Sequence, residues 1–116
     1  MNQAVKYRTV IAYKNYFEAF FLKLAQKVRD KIVWTLVLIE EIEQVPETNL
    51  KHVEGTAGLY EIRVQIGKEA FRIFCFFDKG SLVVLTTGYQ KKSQKAPKKE
   101  IAKALRVMEE YHEDNK

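Results

Sequence analysis

Between residues 59 and 89 the chain passes through three apolar, β-rich segments separated by only a few polar residues, and this spacing leaves little room for anything but an antiparallel meander. In LYEIRVQ (59–65), Tyr60, Ile62 and Val64 share one face, with Glu61 and Arg63 on the other. In AFRIFCFF (70–77), Phe71, Ile73, Cys75 and Phe77 oppose Arg72, Phe74 and Phe76, and Asp78, Lys79 and Gly80 then supply a turn. LVVLTTGY (82–89) is apolar almost without interruption, the pattern of a strand covered on both faces and central in its sheet.

The flanks predict what covers this sheet. Residues 5–13 alternate Val5, Tyr7, Thr9 and Ile11 with Lys6 and Arg8, which reads as a half-exposed strand at a sheet edge. Asn15 is a candidate cap for a helix whose face is Phe17, Phe20, Phe21, Leu24 and Val28. Asp30 is a candidate cap for a second, with Ile32, Leu36, Ile39 and Ile42 in its stripe and Pro46 as its stop. The two are expected to form an antiparallel hairpin. Trp34 falls off the stripe and is expected to cover a neighbouring element, while Glu40, Glu41 and Glu43 oppose the helix dipole and read as solvated charge. Residues 47–58 read as a loop. Pro97 suits the first position of a last helix with Ile101, Ala104, Leu105, Met108 and Tyr111 towards the core, and the acidic residues 109–116 are expected to fray.

At 116 residues and 47% hydrophobic composition, these elements make one α+β domain, residues 1–116: a small antiparallel sheet against a helical hairpin and a C-terminal helix. No apolar run approaches the ~20 residues of a membrane span, and residues 1–10 lack a signal-peptide pattern. With the lone Cys75 inside an apolar strand, a reducing cytoplasm is expected. His52 has no His, Cys or carboxylate at metal-ligand spacing, so neither metal nor cofactor is expected.

Charge is the second constraint. The net charge is +5, yet residues 87–106 alone carry Lys91, Lys92, Lys95, Lys98, Lys99, Lys103 and Arg106 against the single acid Glu100. Such a block suits a polyphosphate partner and equally a solvated loop and helix face. Arg63 and Arg72 favour the first reading: each interrupts an apolar strand, and if the strands are neighbours both guanidinium groups project from one side of the sheet, as an anion site requires. Ala96, the predicted cap of the last helix, has no side-chain acceptor for the free N–H groups, and a phosphate fits there.

The order of elements, with LYEIRV, FRIFCFFD and GYQKKSQKAPKKEIAKA, resembles the RelE/ParE superfamily of toxins from type II toxin–antitoxin pairs, most nearly the phage-derived HigB-like branch. The resemblance implies a metal-independent endoribonuclease that cleaves mRNA, usually on the ribosome, and a cognate helix-turn-helix antitoxin that silences it. It places Arg63 and Arg72 against the scissile phosphate and makes Lys91, Lys92 and Lys95 an RNA clamp, one lysine serving as acid or base; Lys98, Lys99 and Lys103 extend the clamp. Tyr89 becomes a proton donor or stacking platform, and Glu61 orients Arg63 or acts as base. The histidine or aspartate that such enzymes often carry near the C-terminal end has no counterpart here, since His112 lies in the acidic tail. The superfamily also contains gyrase inhibitors acting by protein contact, and a non-catalytic RNA-binding module is the third alternative.

Overall fold

The computed structural model describes residues 6–94 and 97–116. Along them run β1 (Thr9–Ala12), α1 (Tyr16–Phe21), α2 (Gln26–Glu41), β2 (Leu50–His52), β3 (Leu59–Ile66), β4 (Glu69–Asp78), β5 (Leu82–Lys91) and α3 (Lys98–Asp114). The expected meander is β3–β4–β5, within a five-stranded sheet of order β1-β5-β4-β3-β2. β5 is interior, covered at residues 83–87, but β4 is the middle strand.

The sheet is mixed, because β1 lies parallel to β5, pairing Thr9 with Leu82 and Ala12 with Leu85. After β1 the chain carries its helices across the sheet and re-enters at the opposite edge as β2. Four alternating strands then bring β5 back in the direction of β1. β2 lies inside the stretch read as a loop: its three residues are too few for a periodic signal, but Leu50 packs on the core and Lys51 pairs with Glu61.

The two faces have separate cores. On one, Ile62, Val64, Phe71, Ile73, Cys75, Val83 and Leu85 pack with Val28, Ile32 and Ile39 of α2 and the phenylalanines of α1. On the other, Phe74, Phe76 and Val84 meet Ala104, Met108 and Tyr111 of α3. The thiol of Cys75 is fully buried, and burial pushes its pKa up, so it is an inert core group.

The helices depart from the predicted boundaries. α1 stops at Phe21, so Leu24 belongs to the connection and Val28 to α2. Asn15 precedes α1 without a side-chain cap bond. α2 begins at Gln26, placing Asp30 in its second turn, where its carboxylate accepts from Gln26 Nε2 at 2.7 Å. At the other end the guanidinium of Arg8 donates to the carbonyls of Ile39, Ile42 and Glu43 at 3.1, 2.8 and 2.7 Å, satisfying free acceptors with a cation. Glu40 is not simply solvated, since it accepts from the Val10 N–H at 2.9 Å. Among the described residues Trp34 covers no other element; it is 55% exposed, with Lys31 Nζ 4.5 Å above its ring. Pro97 is the N-cap of α3 rather than its first residue, and Ala96 lies outside the described residues, as do Val5 and Lys95. Among the described residues no helix is long and apolar enough to cross a membrane.

The acidic tail remains helical to Asp114 because the turn after β1 grips it. Lys14 Nζ and Tyr16 Oη both donate to Glu110 at 2.6 Å, Tyr13 Oη donates to Asp114, and Tyr111 Oη donates to Asp78 at 2.7 Å. The Lys14 and Tyr16 bonds hold the Glu110 carboxyl below its ordinary pKa. A carboxylate depressed in the folded state stabilises above its unfolded pKa, and that contribution is lost as pH falls through the folded value. Glu110→Gln should therefore lower Tm at neutral pH, and the gap to wild type should close as the buffer is acidified below the usual carboxylate range. A gap unchanged by acid, followed by circular dichroism, would show that Glu110 contributes no ionic term.

Candidate nucleic-acid interface

Strand register aligns the first three residues. Arg63 of β3 stands directly opposite Arg72 of β4, and Arg72 opposite Tyr89 of β5, so the three form a row across adjacent strands. The third member owes its place to a bulge. Ile73 pairs with Gly88 but Cys75 with Leu85, so two residues of β5, Thr86 and Thr87, face Phe74 alone. Strict alternation from Val83 and Leu85 would have put Tyr89 on the α1–α2 face. The extra residue moves it to the arginine face, where its ring stacks on Phe74 with centroids 5.6 Å apart. Thr86 Oγ1 pins the bulge by donating to the Phe74 carbonyl at 3.0 Å.

Two arginines opposite one another repel, and Glu61 makes the pair tolerable. Two residues before Arg63, it is on the same face; its Oε1 accepts from Arg63 Nε at 3.1 Å while Oε2 lies 4.0 Å from Arg72 Nε. One carboxylate thus serves two guanidinium groups and leaves a surplus positive charge. Arg72 is only 9% exposed; its Nη1 donates to the Phe71 carbonyl at 3.1 Å, and its buried Nε has no hydrogen-bond partner among the described residues. Burial holds its pKa below the usual arginine value, with Glu61 opposing that shift and Arg63 adding to it. A buried, under-satisfied cation of this kind is suited to an anion that brings oxygen acceptors. Burial, and then Glu61, raises the phenol of Tyr89 above its ordinary pKa, so it carries its proton at neutral pH.

The cavity bordered by both Arg63 and Arg72, about 380 Å³, is shared with Lys31 and Thr35 of α2 and with Asn49, and two further cavities adjoin the row. One, about 210 Å³, is bordered by Lys51, Glu61, Arg63, Tyr89, Lys91 and Pro97. The other, about 660 Å³, lies beside Arg72, Lys68, Lys91 and Lys92. Lys91 and Gln94 border both. Lys51 and Lys68 went unremarked in the sequence: the first is in the three-residue β2, the second beside the Gly67 turn. Lys51 joins the arginine face only through the β2–β3 pairing, which sets it opposite Glu61. Lys98 and Lys99 are exposed on the first turn of α3. Lys103 points elsewhere, into a groove beside α1.

Neither histidine joins the row. His52 borders the smaller cavity, but its Nε2 lies 3.0 Å from the Thr56 carbonyl and its ring meets Tyr60 edge-on. His112 packs against Phe76 and Tyr111. Among the described residues no three His, Cys, Asp or Glu side chains cluster as a metal site.

No curated protein sequence matches the chain significantly. The family model described as Phage derived protein Gp49-like (DUF891) matches residues 19–109, which include α2, all of the meander and most of α3. The chain therefore belongs to the phage-derived Gp49-like family, a RelE/HigB-like family of toxins from toxin–antitoxin systems.

Proposed function

We propose that this protein is an endoribonuclease toxin, and the observation that carries the reading is the row Arg63–Arg72–Tyr89 with Glu61 between the arginines. RNA cleavage by in-line attack forms a bond from the 2′-oxygen to phosphorus, the 2′-hydroxyl proton passing to solvent water, and breaks the bond from phosphorus to the 5′-oxygen. Charge accumulates on the phosphorane oxygens, where preorganised guanidinium donors act most strongly. Arg63 and Arg72 would take that charge, and Tyr89, which keeps its proton at neutral pH, would give it to the departing 5′-oxygen. Glu61, engaged by Arg63, serves to orient the arginines. Lys51, Lys68, Lys91 and Lys92 surround the row at positions fit to hold the RNA backbone, with Lys98 and Lys99 beyond. The substrate on this reading is mRNA, met on the ribosome, and a cognate antitoxin silences the enzyme in the cytoplasm.

Induction in a bacterial host followed by mapping of RNA 5′ ends tests the reading. New ends within coding regions, accompanied by growth arrest, are expected; arrest with intact mRNA and inhibited supercoiling would replace it with gyrase inhibition. The clamp has its own test. Because each phosphate contact on single-stranded nucleic acid contributes roughly 0.7 to the logarithmic salt slope, Lys91→Ala with Lys92→Ala should flatten the slope of RNA binding by about 1.4. An unchanged slope would remove both lysines from the RNA path.

A further inference from the structure

β1 covers β5 only as far as Leu85, and the Tyr13 N–H makes the last contact, donating to the Leu85 carbonyl at 3.2 Å. Beyond it, residues 88–91 pair with β4 on one side, Thr87 lying in the bulge, and among the described residues no strand pairs with the other side of 87–91. Alternate residues of such an edge direct N–H and C=O groups outward, which makes it a template for another chain. Proteins commonly cover such an edge or shield it with charge or proline. This one is left at the floor of a groove of about 410 Å³, walled by Ala19 and Phe20 of α1, by Leu24 of the connection to α2 and by Lys103 of α3. Thr87, 8% exposed, borders the same groove, and its Oγ1 has no hydrogen-bond partner among the described residues.

We propose that this groove is a docking site for an extended, acid-bearing segment of a partner protein, which adds to the sheet as a strand on the free edge of β5, in line with β1. The groove selects its occupant in three ways. The strand edge offers backbone donors and acceptors at the spacing of another backbone, which nucleotides do not reproduce. Phe20 and Leu24 offer apolar surface for alternate side chains of the incoming strand. Lys23 and Lys103 stand on opposite walls, Lys23 in no ion pair among the described residues and Lys103 in a loose one with Glu100 at 3.7 Å, so the segment carries acids. The free edge has room for about five residues, roughly 17 Å of strand. On the reading of the protein as a toxin, on which the partner's identity rests, the occupant is a segment of the antitoxin. Its strand would lie against residues 87–91, which carry Tyr89 and Lys91 into the arginine face.

The test uses the intact chain co-expressed with the protein encoded beside it, and two exposed groove residues outside the arginine row. Ala19→Trp fills the groove without entering the core, and Lys23→Glu reverses one wall. Both variants should cleave RNA as wild type does and lose about 10-fold or more in affinity for the neighbouring protein. Amide hydrogen exchange of residues 87–91 should slow in the wild-type complex and remain fast in the free toxin. Capture of both variants within about twofold of wild type, or an unprotected edge in the complex, overturns the docking site and leaves the toxin reading standing. Loss of RNA cleavage in either folded variant without the partner assigns the groove to RNA and also overturns it. A wild-type chain that captures no neighbouring protein overturns the docking site together with the antitoxin assignment. Capture through the groove by a chain that cleaves no RNA supports the docking site and removes the ribonuclease reading.

Discussion

Arg72→Met should lower the rate of RNA cleavage by about 10²–10³-fold, the typical loss when one preorganised donor is removed from a developing negative charge, while leaving Tm unchanged or slightly raised. The two halves of this result have one cause. Arg72 lies on the middle strand, 9% exposed, with an Nε unpartnered among the described residues and a carboxylate only as near as 4.0 Å. Keeping a cation there costs desolvation free energy that its neighbours only partly offset, and replacing such a group by an apolar side chain of similar length is often neutral or stabilising. Methionine fills the volume of the arginine stem, and Glu61 retains Arg63 as its partner. Arg72→Lys should not rescue cleavage, because an ammonium lacks the planar fork that two phosphate oxygens require. Single-turnover cleavage of a short RNA and thermal melting decide the matter. A variant that keeps its rate removes Arg72 from the chemistry; one that melts many degrees lower makes it a structural residue.

Arg63→Ala provides the comparison. Its side chain is more open than that of Arg72 and tied to Glu61, so the mutation frees the carboxylate to approach Arg72. Cleavage should fall here as well, and toxicity with it. If both arginine variants remained fully toxic, the activity would belong to a contact surface and not to the row.

The positions of Arg63 and Arg72 were legible because alternation fixes the face of a strand residue and short turns make neighbours of consecutive strands. Tyr89 was a different case. Counted from Val83 by twos it belongs to the face packed on α1 and α2, and only the bulge at Thr86 and Thr87 transfers it. A bulge is a property of pairing between two strands, and neither strand shows it alone. β2 was missed for a related reason, since three residues carry no period and Leu50 becomes a strand residue only by pairing with Ile62. The C-terminal tail was misread because its order depends on Lys14, Tyr13 and Tyr16, about 95 residues earlier in the chain. Local propensity carried the elements, and long-range pairing placed the last member of the site and the groove beside it.

Gly88 shows how closely the bulge and the helical layer depend on one another. A Cβ at this position would lie 2.6, 2.7 and 2.9 Å from Cδ2, Cε2 and Cγ of Phe20, far inside van der Waals contact. Alanine in place of glycine in a strand ordinarily gains about 0.4–1 kcal/mol by restricting the unfolded chain. The clash reverses the sign: Cγ is at the root of the ring, so rotation of the phenyl group does not clear it, and α1 or β5 must shift. Overpacking of this kind costs about 1–3 kcal/mol. Gly88→Ala should therefore destabilise the protein despite the entropic gain, lowering Tm by several degrees, and Gly88→Val should do so more severely. Phe20→Ala, which removes all three clashing atoms and is itself destabilising through lost packing, should cost less in the Gly88→Ala background than alone, so the double-mutant cycle shows coupling between the two sites. Because Gly88 is flanked by Thr87 and Tyr89, a shift of β5 also displaces the phenol, and Gly88→Ala should cleave RNA more slowly than its stability loss alone explains, with Phe20→Ala restoring part of the rate. Additive stabilities with an unaltered rate would show that Phe20 yields freely and that nothing ties the helical layer to the position of Tyr89.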